Sequence, residues 1–169
     1  PARTGTKEEE KMSENINIGL FQETMLRVRS VLSKWLEARL SEINMNFWKE
    51  LVLPKLSFQQ RGMVAAQHFS CLDELDFLGL LRVFDKNWYE IDYRYHLPPQ
   101  LRAYLKELMI VRNKYAHLNN VPEIDEYLRD VDTLYRFAKG IGADNKLLLE
   151  IKNIAGKNSD HVGGIEKRP

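Results

Sequence analysis

Residues 98–117 read PPQLRAYLKELMIVRNKYAH, and the fold turns on how this stretch is taken. Leu101, Leu105, Leu108, Met109 and Val111 fall mainly at intervals of three and four, which predicts a helix with one buried face. Pro98-Pro99 suits its first turn, because proline lacks only an N–H that has no helical acceptor there. Leu118-Asn119-Asn120-Val121-Pro122 follows at once and reads as a break. The helix therefore closes on Val111-Arg112-Asn113-Lys114-Tyr115-Ala116-His117, gathering an arginine, an amide and a histidine in its last turn. Helix packing explains most other conspicuous residues of the chain. It does not explain these three.

Outward from this stretch the periodicity stays helical. Towards the C-terminus a further helix is expected from about residue 120, with Ile124, Leu128, Val131, Leu134, Tyr135 and Ala138 on one side. Gly140 and Gly142 end it. Residues 146–155 add a short helix, and GKNSDHVGGIEKRP has linker composition. Towards the N-terminus, Phe77, Leu80, Leu81, Phe84 and Trp88 predict a buried helical stripe, with Ser70 and Asp73 as its capping signature. Residues 89–97 (YEIDYRYHL) alternate like a strand but have no partner strand, so an extended linker is expected. Ser57–Phe69 reads as a helix, and Ile43–Val52 as a short apolar segment stopped by Pro54. The first helix is expected over roughly 17–41, on Phe21, Met25, Val28, Leu32 and Trp35. The expected fold is all-α: a bundle of about five helices over residues 16–144, after a flexible lead-in at 1–15 and before a short helix and tail at 145–169, with its core at roughly 16–143.

Composition narrows the class further. At 169 residues with 44% apolar content, the chain can bury a genuine core. Its 25 basic and 24 acidic residues nearly cancel, so any nucleic-acid contact has to come from a local patch. Cys71 is the only cysteine, which excludes an internal disulfide and suits a reducing, cytoplasmic setting. No run of about 18 apolar residues suggests a membrane span. The chain opens at Pro1 without an apolar leader, and a segment of a longer protein is expected.

Several chemistries fail on spacing. His68, His96, His117 and His161 form no i,i+4 pair, so no metal site is expected. Gly140-Ile141-Gly142 ends a helix rather than starting one, unlike a phosphate loop. Asp73-Glu74 and Asp125-Glu126 read as first-turn charges favoured by the helix dipole. Trp88, Tyr89, Tyr93 and Tyr95, with Arg94, have the makings of a base-stacking surface, but buried packing is the stronger expectation. Arg112, Asn113 and His117 keep two readings. In the plain one, His117 meets the helix C-terminal dipole, Arg112 makes a surface ion pair and Asn113 fills space. In the chemical one they act together, but at about 100° per residue Arg112 lies about 140° from His117. A straight helix does not aim both at one atom; the last turn must open, or two copies must share a cleft.

The string Glu107-Leu108-Met109-Ile110-Val111-Arg112-Asn113-Lys114-Tyr115-Ala116-His117 resembles the Arg-(4 to 6 residues)-His signature of HEPN-fold ribonucleases, with a polar residue directly after the arginine. It looks most like the Swt-type branch, whose pattern is EVRN(R/K)xAH and whose next helix ends in a sequence like the Gly140-Ile141-Gly142-Ala143 found here. The resemblance covers roughly residues 20–144, including the Trp35–Trp48 region and the Leu80-to-Trp88 stripe. It implies a metal-independent RNA endonuclease that needs no cofactor and works as a homodimer through the motif-bearing helix face. His117 would be the general acid/base, Arg112 would bind the scissile phosphate, and Asn113 would position the phosphate or the histidine. Lys114, Lys106, Arg102 and Arg94 would supply the basic surface for RNA. The resemblance also implies a toxin, defence or RNA-surveillance role, or fusion to a larger ATPase or helicase region. A non-catalytic interaction module is the alternative. HEPN toxins controlled by a nucleotidyltransferase carry a tyrosine two positions after the histidine; Asn119 stands there, which argues against that control.

Overall fold

The computed structural model describes residues 16–159; the expected lead-in and the last ten residues of the tail lie outside them. Among the described residues there are seven α-helices and no strand, in keeping with the all-α expectation and more than the five anticipated. They are α1 (Ile18–Ile43), α2 (Phe58–Gln67), α3 (Phe77–Lys86), α4 (Trp88–Tyr95), α5 (Pro99–Ala116), α6 (Ile124–Gly140) and α7 (Asn145–Ser159).

Helix α1 is the floor of the bundle. The Asn17 side chain accepts the Leu20 N–H at 2.9 Å and so caps it. Phe21, Met25, Val28, Leu32, Leu36 and Leu40 form one buried stripe along its length. Two aromatic nodes rest on that stripe. Near its start, the Phe21 ring meets Tyr115 of α5 at 4.7 Å and Tyr127 of α6 at 5.7 Å, both edge to face. Farther along, Phe84 of α3 packs on Trp35, Trp88 and Phe137, with centroids 4.9, 5.5 and 6.3 Å away. Helix α5 lies between α3 and α6, and α7 covers α1 and α6 with Leu147, Ile151 and Ile154 buried. The core therefore runs past residue 143, where the periodicity had placed its limit.

Four local readings change. Residues 88–95 are helix α4, not an extended linker. Trp88 and Ile91 are buried and Tyr95 packs beside them, a three-then-four spacing that the alternating pattern had masked. Tyr89 and Tyr93 point the other way and are 70% and 88% exposed, so the expected burial of this cluster holds for Trp88 and in part for Tyr95. The capping signature at Ser70 also belongs elsewhere: the Glu74 carboxylate takes the N–H groups of Ser70 and Cys71, while Asp76 caps α3 by accepting the Gly79 N–H at 2.8 Å. Past Ile43 the chain makes one wide turn at Trp48–Val52, and Pro54 sits in the tight turn Leu53–Lys55. Other expectations stand. The helix expected from Ser57 is α2, opened by a reciprocal capping box of Ser57 and Gln60 that the sequence reading had not singled out; Pro99 opens α5, and Gly142 ends the α6 turn at φ +76°, where only glycine is unstrained.

Burial separates two phenylalanines that look alike in the sequence. Phe84 is fully buried, whereas Phe58 is 85% exposed on α2. Phe84→Ala is expected to lower stability by about 3–5 kcal/mol, and Phe58→Ala to change it by no more than about 0.5 kcal/mol. Urea unfolding of both variants checks this; equal losses would contradict the core as described.

Candidate functional site

The candidate site is the C-terminal end of α5, and packing decides where that end falls. Tyr115 is buried against Phe21, its hydroxyl donates to the buried Asp130 carboxylate at 2.9 Å, and its carbonyl accepts from Gln22 Nε2 at 2.8 Å. Lys114 reaches the same Asp130 and also Glu126, with Nζ 2.5 Å from the first and 2.7 Å from the second. The last turn is thereby fastened to α1 and α6. Two residues on, the chain leaves the helix: His117 has φ −128° and ψ 31°, and its N–H still donates to the Lys114 carbonyl at 3.3 Å. Its imidazole is exposed. The chain thus leaves the helix at the histidine itself, without turning its ring to Arg112.

Arg112 and Asn113 are brought together. Arg112 Nη1 donates to Asn113 Oδ1 at 3.2 Å, and Nη2 donates to Asp76 Oδ2 at 2.8 Å. The ion pair expected in the plain reading is therefore real, and its partner is the N-cap of α3. Among the described residues no hydrogen bond joins the His117 ring to Arg112 or Asn113. One chain assembles the arginine and the amide and presents the histidine separately.

The four expected RNA-binding cations divide among three places. Arg102, Lys106 and Arg112 lie along the edge of α5 that faces α3 and α4. Each has an acceptor across the groove: Tyr89 hydroxyl for Arg102 at 2.9 Å, Asp85 for Lys106 at 2.6 Å, and Asp76 for Arg112. Arg102 also stands 4.8 Å from the Tyr89 ring centre. Lys114 sits on the opposite edge, turned into the acids of α6. Arg94 is on α4, paired loosely with Glu42 at 3.6 Å. Acids thus offset most of the positive charge on this face, and the exposed ridge of α5 between its two edges carries Ala103, Ile110, Asn113 and His117, with the Lys106 side chain leaning from it onto Asp85.

Sequence reading missed Asp76, Tyr115, Asp130 and Gln22. Asp76 had a signal, since an aspartate immediately before a helical stripe and three residues ahead of Gly79 is an N-cap pattern. The Tyr115–Asp130 and Gln22–Tyr115 bonds had none, because their partners lie 15 and 93 residues apart. Among the described residues no three His, Cys, Asp or Glu side chains gather closely enough to hold a metal ion. No helix there is long and apolar enough to cross a membrane.

A family model described as Swt1-like HEPN matches residues 24–142, from the first turns of α1 through the end of α6. No curated protein and no solved structure matches.

The Tyr115–Asp130–Lys114 cluster sets an alkaline limit on stability. Burial and the Asp130 carboxylate raise the Tyr115 phenol well above its ordinary value. For Lys114 burial works against the charge, but Asp130 and Glu126 outweigh it and the ammonium also titrates above the usual lysine value. Both groups hold their protons more tightly folded than unfolded. Their stabilisation is complete below the unfolded values near about 10 and is lost as pH rises beyond them. Urea midpoints are expected to stay level from neutral pH to about 9.5 and then fall. Tyr115→Phe should unfold more easily at pH 8 yet decline less steeply above pH 10, and an unchanged alkaline slope would refute the assignment.

Proposed function

We propose, from the premise that this chain belongs to the Swt1-like HEPN family, that it is a metal-independent RNA endonuclease acting as a homodimer. The observation that carries the reading is the end of α5, where Arg112 and Asn113 are joined and the His117 ring is exposed as the chain leaves the helix. In this mechanism the attacking group is the substrate's own ribose 2′-hydroxyl. An unprotonated His117 imidazole takes its proton as the oxygen attacks the adjacent phosphorus. The bond to the 5′-oxygen breaks, a protonated imidazole returns a proton to that oxygen, and the products carry a 2′,3′-cyclic phosphate and a 5′-hydroxyl. Arg112 stabilises the charge that builds on the non-bridging oxygens, and Asn113 positions the phosphate. No protein nucleophile takes part.

A second copy supplies what one chain leaves apart. The exposed α5 ridge has Ile110, 70% exposed, between Lys106 and Asn113. Docking two such ridges would shelter both isoleucines and bring two His117 rings beside two Arg112–Asn113 pairs. In the cell the domain would serve a toxin, defence or RNA-surveillance task, alone or joined to a larger ATPase or helicase region. The acids already paired with Arg112, Lys106 and Lys114 favour a second reading, a non-catalytic dimerisation or interaction module.

Cleavage of single-stranded RNA in EDTA separates the two. Arg112→Ala and His117→Ala are each expected to lower the rate by about 100-fold or more. A well-folded dimer without activity, or full activity in both variants, would refute the nuclease. Light scattering after size exclusion is expected to give a dimer that Ile110→Glu converts to a monomer with reduced cleavage. A strict monomer that cleaves at full rate would remove the second copy from the mechanism.

A further inference from the structure

The arginine of the motif is held by a residue that lies 36 positions before it, at the N-cap of another helix. Asp76 uses both carboxylate oxygens: Oδ1 accepts the Gly79 N–H at 2.8 Å, and Oδ2 accepts from Arg112 Nη2 at 2.8 Å. The first bond fixes the carboxylate to the start of α3, whose Phe77, Leu80, Leu81 and Phe84 are buried in the core. Gly79 makes room for it, since a Cβ at that position would stand 3.0 Å from Asp76 Oδ1. Asp76 is therefore a fixed acid rather than a swinging surface one.

Arg112 is also fastened from its own helix. With Nη1 on Asn113 and Nη2 on Asp76, both terminal nitrogens are gripped by acceptors from two separate elements. A guanidinium has five N–H donors, so two are engaged and three are left to meet a phosphate. We propose that Asp76 is a positioning residue for the RNA cleavage proposed above: it orients the Arg112 guanidinium towards the scissile phosphate before the substrate arrives. This inference rests on the ribonuclease reading.

Two forces act in opposite directions, and their opposition gives the test. A negative carboxylate beside a phosphate site disfavours polyanion binding by simple Coulomb repulsion. A pre-oriented arginine favours the transition state, where misplacement by about 1 Å can lower the rate by about 100-fold. Positioning therefore predicts that removing the charge harms turnover and spares binding.

Asp76→Asn is the appropriate variant, because asparagine caps helices about as well as aspartate but offers Arg112 no carboxylate. Steady-state cleavage of a single-stranded RNA oligonucleotide is expected to show kcat reduced by about tenfold or more, with KM unchanged or lower. The melting temperature should remain within about two degrees of the wild type. In an Arg112→Ala background, Asp76→Asn should have no further effect on the residual rate, whereas damage to the fold would persist there. Asp76→Glu, which keeps the charge on a longer arm, should recover part of kcat. Unchanged or increased kcat in Asp76→Asn, a raised KM at constant kcat, or an equal loss in the Arg112→Ala background would each overturn the inference. Wild-type cleavage with an unaffected Asp76→Asn rejects this role alone; no cleavage by the wild type rejects the ribonuclease reading and this role with it.

Discussion

The contact on which the rest depends is the burial of Tyr115 against Phe21, with its hydroxyl on Asp130. Tyr115 lies two residues before the histidine, and its ring joins the start of α1 to the end of α5. The Asp130 carboxylate that receives the phenol also binds Lys114, so a buried acid is offset by both a proton donor and a cation. An isolated buried carboxylate would be costly; this one is satisfied and therefore rigid. The last turn of α5 cannot rotate without breaking that set. Arg112, Asn113 and His117 take their directions from a tyrosine that contacts no substrate in the proposed reaction.

The two edges of α5 then have different characters. The edge towards α6 is closed, with Lys114 spent on structure. On the edge towards α3 and α4, Arg102 faces the Tyr89 hydroxyl and Lys106 faces Asp85, beside the anchored pair of Arg112 and Asp76. Arg102 meets a neutral phenol, so an arriving phosphate competes with that contact at small expense, whereas the Asp85 side chain is only 10% exposed and holds Lys106 more firmly. The near balance of charge in the whole chain is thus repeated along this edge. Under the proposed ribonuclease function, RNA would be met through a few directed donors rather than through a broad positive field.

The parts of this fold legible in the sequence are those governed by local period and local chemistry. The buried stripes of α1, α3 and α5 follow from spacing, Pro99 and Gly142 mark ends by backbone restriction, and Ser57 with Gln60 is a cap written within four residues. Helix α4 was obscured because eight residues support either a twofold or a 3.6-fold pattern, and only the packing of Trp88 and Ile91 on the core decides between them. The reach of the core into α7 was underestimated for a related reason: Ile151 and Ile154 look like a weak local stripe until α1 is seen beneath them. In the site, the triplet itself was visible as an unexplained cluster. What holds it in place, through Asp76, Asp130 and Gln22, arises from contacts between distant segments and leaves little trace in any short window.

Asn87 shows how one amide selects between two shapes. The apolar positions Phe77, Leu80, Leu81, Phe84, Trp88 and Ile91 keep helical spacing across it, so a single uninterrupted rod from residue 77 to 95 would satisfy the same pattern. Instead Asn87 is fully buried, and its Nδ2 donates to the carbonyls of Leu51 at 2.7 Å and Val83 at 2.8 Å. The bond to Leu51 ties the break to the wide turn after α1 and satisfies a carbonyl there. The interruption is therefore favoured by a tether from outside the helix. The same tether sets where Tyr89 meets Arg102, so the composition of a turn near residue 50 reaches the start of the motif helix through a single side chain.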